Sequence, residues 1–159
     1  MTSALVTVLG VGNPIMGDDG VGLELLAGLQ ARRAGVDGPR VEYVDGGTGG
    51  MELIPVVQEA RFLLVLDAVA GPVPGAVQHL SGDQVPRMLS SKLSPHQVGL
   101  LDVFTAARLL GSEPEAVEVV GVTPESVDLR LGLTDVVAAA LPGAIDEAAA
   151  VLDRLLAAA

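Results

Sequence analysis

Four acids and one histidine occupy positions where chemistry is commonly done. Asp18 and Asp19 follow the turn Gly10-Val11-Gly12-Asn13, Asp45 follows the apolar run from Val41 to Val44, and Asp67 follows the run from Phe62 to Leu66. Each acid therefore stands behind a strand-like segment. If those strands run parallel, Asp18, Asp19, Asp45 and Asp67 share the carboxyl edge of a sheet, where open α/β folds place their ligand crevice. Carboxylates gathered at one edge repel unless a cation, a proton or a base compensates. Few Lys or Arg lie near them in sequence, so a metal ion is the economical answer. Ser94-Pro95-His96-Gln97 supplies an imidazole in the form of a helix start, with Ser as cap, Pro in the first turn and Gln closing a capping box. The positive end of that helix favours neutral imidazole, which is the form that ligates.

Each of these residues has a plain structural alternative. One of Asp18 and Asp19 is expected to cap the helix that follows. Asp45, before Gly46-Gly47, reads equally well as a turn former. A histidine at a helix start is more often structural than a ligand. Asp67 is harder to set aside, because an acid ending so apolar a strand needs a partner. His79, the other histidine, reads as a surface or internally satisfied strand residue.

The elements that must position these groups follow from hydrophobic periodicity. Leu5 to Gly10 reads as a buried strand, and Val21, Leu25 and Leu29 mark one face of a helix. Val41 to Val44 is a second strand stopped by Asp45, Met51 to Ala60 a short helix, and Phe62 to Leu66 a third strand ended by Asp67. Gly71 to Gly75 is a turn, Ala76 to Leu80 an edge strand, and Val117 to Val122 a further strand. Leu100, Val103, Phe104, Ala107 and Leu110 keep helical spacing. Val137, Leu141, Ile145, Ala148, Leu152 and Leu155 form the stripe of a last helix, which Pro142 is expected to bend. Strands alternating with helices predict a three-layer α/β fold: a twisted, mostly parallel sheet of about five strands with helices on both faces. The 159 residues are expected to form a single domain, 1–159.

Composition narrows the chemistry. With no Cys, disulfides, thiolate ligands and cysteine nucleophiles are all excluded. Aromatics are only 2% of residues, so the core must be built from Leu, Val and Ala, as suits buried parallel strands. The net charge of −11 argues against nucleic acid and anionic lipid as partners. No apolar run approaches a spanning helix and no basic region precedes one, so a cytoplasmic protein without membrane attachment is expected. Gly10-Val11-Gly12 invites a nucleotide-binding Rossmann-like enzyme as an alternative. Ile15 stands where the third glycine belongs, Pro14 interrupts the turn, and Asp45 lies beyond the usual ribose-binding position, so the reading is weak.

Taken together, Leu9-Gly10-Val11-Gly12-Asn13 with Asp18-Asp19-Gly20-Val21-Gly22, Asp45-Gly46-Gly47-Thr48 with Gly50-Met51-Glu52-Leu53, Asp67-Ala68, Ser94-Pro95-His96-Gln97 and Gly121-Val122-Thr123-Pro124-Glu125-Ser126 resemble the nickel-iron hydrogenase maturation endopeptidases. The match keeps the family's order from Leu5 to about Leu133. The resemblance implies an endopeptidase that removes the C-terminal extension of a hydrogenase large-subunit precursor once nickel has been inserted. It implies Asp19, Asp67 and His96 as the metal-binding and catalytic residues, with Asp in place of the longer Glu that the family also uses first. The nickel is implied to come with the precursor; zinc or cadmium are expected to substitute in purified protein. Asp45 matches a family acid near the site.

Two carboxylates and one imidazole leave open coordination positions, as a catalytic site requires. Hydrolysis by water activated at the metal is favoured, since no activated Ser or Cys can be named. Asp45 and Asp18 are the candidates for general base or supporting residue. Asn13, Gly46, Gly47 and Thr48 are the candidates for contact with the substrate tail. A monomer is expected. The alternative from another class is a nickel-binding maturation chaperone that holds the precursor without cutting it.

Overall fold

The computed structural model describes residues 4–82 and 104–158. Strand β1 (Val6–Val11) leads through a 3-10 turn (Gly17–Gly20) into helix α1 (Val21–Arg32), and strand β2 (Val41–Gly47) follows. A second 3-10 turn (Met51–Leu53) opens helix α2 (Ile54–Glu59) ahead of β3 (Phe62–Ala68) and β4 (Val77–Ser81). Residues 104–109 are helical, β5 spans Ala116–Val122, and the chain closes with the long helix α3 (Asp135–Ala157). The sheet order is β2-β1-β3-β5-β4. All neighbours are parallel except the edge pair β4–β5. The expected twisted α/β sheet is thus present, with β4 at an edge as its turn-flanked sequence suggested.

Alternation along the strands divides the core in two. Val6, Val8, Leu64, Leu66, Val120 and Val122 face α1 and α3, where Val21, Leu25, Leu29, Val137, Ala148 and Leu152 meet them. Leu9, Val11, Leu63, Val65 and Val119 face the other way, onto Leu53 and Val57 from the α2 side and Ala107. Strands covered on both faces are apolar throughout, which is why β1 and β3 read as continuous aliphatic runs. The chain crosses one face by α1 to reach β2, then the other by α2 to reach β3 on the far side of β1. The direction of winding therefore reverses between β1 and β3, and the crevice of such a fold opens at the carboxyl ends of those two strands.

Two boundaries differ from the expectation. Asp67 lies within β3, paired with Gly121, because β5 continues alongside it. Asp45 likewise lies inside β2, opposite Gly10, and a register shift beyond Gly10 brings Gly47 opposite Val11. The final helix contains Pro142 within its span, as its stripe of apolar residues predicted. The expected helix start at Ser94 to Gln97, and the positions Leu100 and Val103, lie outside the described residues. Among the described residues no helix is long and apolar enough to cross a membrane.

Candidate active site

Asp19 reaches the switch-point edge through a tight turn. Gly12 has φ +150, and a Cβ there would sit 2.2 Å from the carbonyl oxygen of Asp19. Only glycine permits so close an approach. The approach lets the Asn13 amide donate to Asp19 Oδ2 at 3.1 Å. The turn carrying Asp19 packs against β3, and the residue is 3% exposed. Asn13 folds its own side chain back, with Oδ1 accepting the Ile15 amide at 3.2 Å.

Asp67 ends the same crevice from β3 and is also buried. Its Oδ1 accepts the Ala68 amide at 2.7 Å. The neighbouring position on β5 is Gly121, where a Cβ would come within 2.0 Å of the Asp67 carbonyl oxygen. Glycine there lets β5 run flush against the acid-bearing strand. His96 lies outside the described residues. Among the described residues no three His, Cys, Asp or Glu side chains group as a metal-holding set. Carboxylate oxygens are hard donors, and an imidazole beside them would make a mixed O/N donor set of the kind that borderline divalent metals take.

Asp18 has a different surrounding. Neither Asp18 nor Asp19 caps α1; Gly20 holds that position without a side-chain bond. Instead Asp18 is fully buried and accepts four hydrogen bonds from a distant segment. Its Oδ2 takes the amides of Glu125 at 2.9 Å and Ser126 at 3.1 Å and the Thr134 hydroxyl at 2.8 Å, while Oδ1 takes the Thr134 amide at 2.7 Å. Burial raises its pKa, but the Thr134 and Ser126 amides, the Thr134 hydroxyl and the Glu125 amide together hold it below the ordinary carboxylate value. Thr134 is the N-cap of α3, so Asp18 fastens the start of that helix to the turn bearing Asp19. These partners lie too far along the chain for local spacing to disclose them.

Asp45 is exposed on the edge strand β2, and its Oδ1 accepts the Gly47 amide at 2.9 Å, the geometry of a turn former. Gly47 in turn accepts from the Gly12 amide at 2.8 Å, which joins the glycine-rich end of β2 to the β1 turn. Gly46 and Gly47 are half-buried and Thr48 is exposed. The acids thus share one edge of the sheet, as parallel pairing required, but they do not form a single cluster. Among the described acids, Asp18, Asp19 and Asp67 are buried there, and Asp18 is committed to the Glu125–Thr134 segment, which leaves Asp19 and Asp67 at the strand ends that bracket the switch point. His79, away from this edge, lies between Glu118 at 3.5 Å and Glu147 at 3.6 Å, a half-buried strand residue with two acidic neighbours.

The fold and this edge define a doubly wound α/β protein with buried carboxylates at its crevice and no nucleotide fingerprint. A family model described as hydrogenase maturation protease matches residues 23–151, and the chain belongs to that family. The Hydrogenase 2 maturation protease of Escherichia coli K12 is 38% identical over 149 residues, 92% of this chain and 90% of the relative. The hydrogenase expression/formation protein HoxM of Cupriavidus necator is 37% identical over 153 residues, covering 94% and 75%. Among solved structures, the hydrogenase maturating endopeptidase HybD from E. coli superposes with a TM-score of 0.85 at 35% identity, covering 94% of this chain and 92% of that one. The [NiFe] hydrogenase maturation protease HybD from Thermococcus kodakarensis gives a TM-score of 0.74 at 25% identity, covering 92% and 97%. The protein is accordingly a maturation protease with endopeptidase activity.

Proposed function

We propose that this protease removes the C-terminal extension of a nickel-iron hydrogenase large-subunit precursor, and that it acts on nickel already seated in that precursor. The observation that carries this reading is the placement of Asp19 and Asp67. Both are buried carboxylates, and each stands beside one of the two strand ends that bracket the crevice. In this reading Asp19, Asp67 and His96 grip the substrate's nickel. That ion supplies Lewis acidity next to the scissile carbonyl. Asp19 is held for the task by the Asn13 amide, Asp67 by the Ala68 amide. The extended tail runs along Asn13, Gly46, Gly47 and Thr48, where small side chains let a backbone approach. Asp45, exposed at the rim, is the general base; Asp18, with its carboxylate committed to Thr134, Ser126 and Glu125, is a supporting residue. The protein works as a cytoplasmic monomer, a single domain over 1–159, with zinc or cadmium able to occupy the same donors in its isolated form.

The test is the precursor's mass before and after mixing with the enzyme. Nickel-loaded precursor should lose one C-terminal fragment, and Asp19→Ala, Asp67→Ala and His96→Ala should each abolish the cut while unfolding near the wild-type temperature. Cleavage should proceed normally in His79→Ala. Efficient cleavage of nickel-free precursor in the presence of chelator would overturn the role given to the metal. Stable binding with no change in mass under any loading would overturn the proteolytic reading altogether.

A further inference from the structure

The segment from Glu125 to Thr134 is exposed over much of its length yet firmly tied. The Arg130 amide donates to the Ile15 carbonyl and the Gly17 amide to the Arg130 carbonyl, both at 2.9 Å, forming a bridge between Met16 and Arg130. The Asp18 amide adds a bond to the Ser126 carbonyl at 3.0 Å, and the Asp18 carboxylate holds both ends of the segment from beneath. On this fixed strap Leu129 is 77% exposed and Leu131 79%, with Ile15 across the bridge at 49%. Three large aliphatic side chains held in water on a rigid backbone are not a by-product of a mobile loop. Such a patch marks an interaction surface.

We infer that Ile15, Leu129 and Leu131 form a docking rim for the folded body of the precursor, separate from the crevice that takes its tail. The inference rests on the function proposed above. The occupant follows from continuity: the Asp19 amide donates to the Met16 carbonyl at 3.2 Å and Met16 is bridged to Arg130, so Ile15 and the strap border the turn that carries Asp19. A protease that makes a single cut in one partner needs recognition area beyond the acids at its crevice. The surroundings define the partner's chemistry. Glu125, Asp128 and Asp135 are exposed around the patch, and Arg130 turns its guanidinium onto the Leu133 carbonyl of its own strap. The rim therefore fits an apolar surface bordered by Lys or Arg.

The experiment is steady-state processing of nickel-loaded precursor by Leu129→Ser/Leu131→Ser, alongside the wild-type enzyme and the single variant Leu129→Ser. The side chains are exposed, so thermal unfolding should shift little. KM for the precursor should rise about tenfold in the double variant, as for loss of an interface anchor, and less in the single one, with kcat at saturation unchanged. If wild type cleaves and the double variant keeps its KM, or loses kcat instead, the rim is not a docking surface. A concentration-dependent dimer of wild type that the double variant abolishes would assign the patch to a second copy of this chain and overturn the inference. Failure of wild type to cleave would instead count against the function on which it rests.

Discussion

Asp18 and Asp19 are adjacent, both buried, and have different partners. Asp19 belongs to the crevice, while Asp18 is turned into the protein to satisfy three backbone amides and a hydroxyl of the strap and the start of α3. An amide in place of the Asp18 carboxylate can accept on one side only, so at least one buried backbone N–H must lose its acceptor. Asp18→Asn should therefore lower the free energy of unfolding by about 2 kcal/mol, read by denaturant titration. Stability equal to wild type would mean that the strap does not depend on this group. The sequence disclosed that one of the pair had a structural duty, but assigned it to the wrong helix. Capping of α1 was the local guess; the true partners lie 107 to 116 residues away. The Asp67 expectation fared better, because a carboxylate closing a wholly apolar strand signals a buried acid without any knowledge of its neighbours.

At the scale of elements, β1 and β3 were legible because strands buried on both faces leave nearly continuous aliphatic runs, and β2 and β5 because their valines mark short strands even with Glu42 and Glu118 among them. Their ends were not. Asp45 and Asp67 were placed after their strands on polarity alone, whereas pairing continues for as long as a neighbouring strand offers partners, here Gly10 for Asp45 and Gly121 for Asp67. The two glycines Gly121 and Gly143 make the same point energetically. Gly121 sits where a Cβ would strike the Asp67 carbonyl and the Val69 side chain, while nothing lies within 4 Å of the corresponding point at Gly143 in α3. Gly121→Ala should cost about 2 kcal/mol through strain and depress processing by displacing Asp67. Gly143→Ala should instead stabilise by about 0.5–1 kcal/mol, since alanine loses less freedom in a helix. Thermal unfolding of the two variants should move in opposite directions; an unfolding temperature of Gly121→Ala at or above the wild-type value would show that the packing around Gly121 is looser than described.

The molecule as a whole has two polar ends with different duties. The carboxyl edge of the parallel strands carries the crevice, whereas the opposite edge is closed by an ion-pair network centred on the buried pair Arg33 and Asp37. Between α1 and β2, Asp37 accepts two bonds from Arg33 at 2.7 and 2.8 Å and one from the Tyr43 hydroxyl at 3.2 Å. Arg33 also reaches Asp153 of α3 at 2.8 Å, so the network joins α1, β2 and α3. The Asp37 side chain is only 3% exposed. The Arg33 bonds draw its pKa below the ordinary value despite burial, and Tyr43 is pushed up to about 12 by burial and by the Asp37 charge. A carboxyl whose pKa is lowered on folding contributes stability at neutral pH, and that contribution is lost as pH falls through its folded value, below about 3.9. Asp37→Asn should thus destabilise by about 3 kcal/mol at pH 7, because Arg33 loses its main partner in a buried setting. The deficit should shrink on acidification as wild-type Asp37 becomes protonated and the two proteins approach one another. Processing at pH 7, measured well below the unfolding temperature of both, should be equal, because the network lies at the far edge of the sheet from Asp19 and Asp67. A deficit that persists unchanged into strong acid would show that Asp37 acts by packing and not by charge.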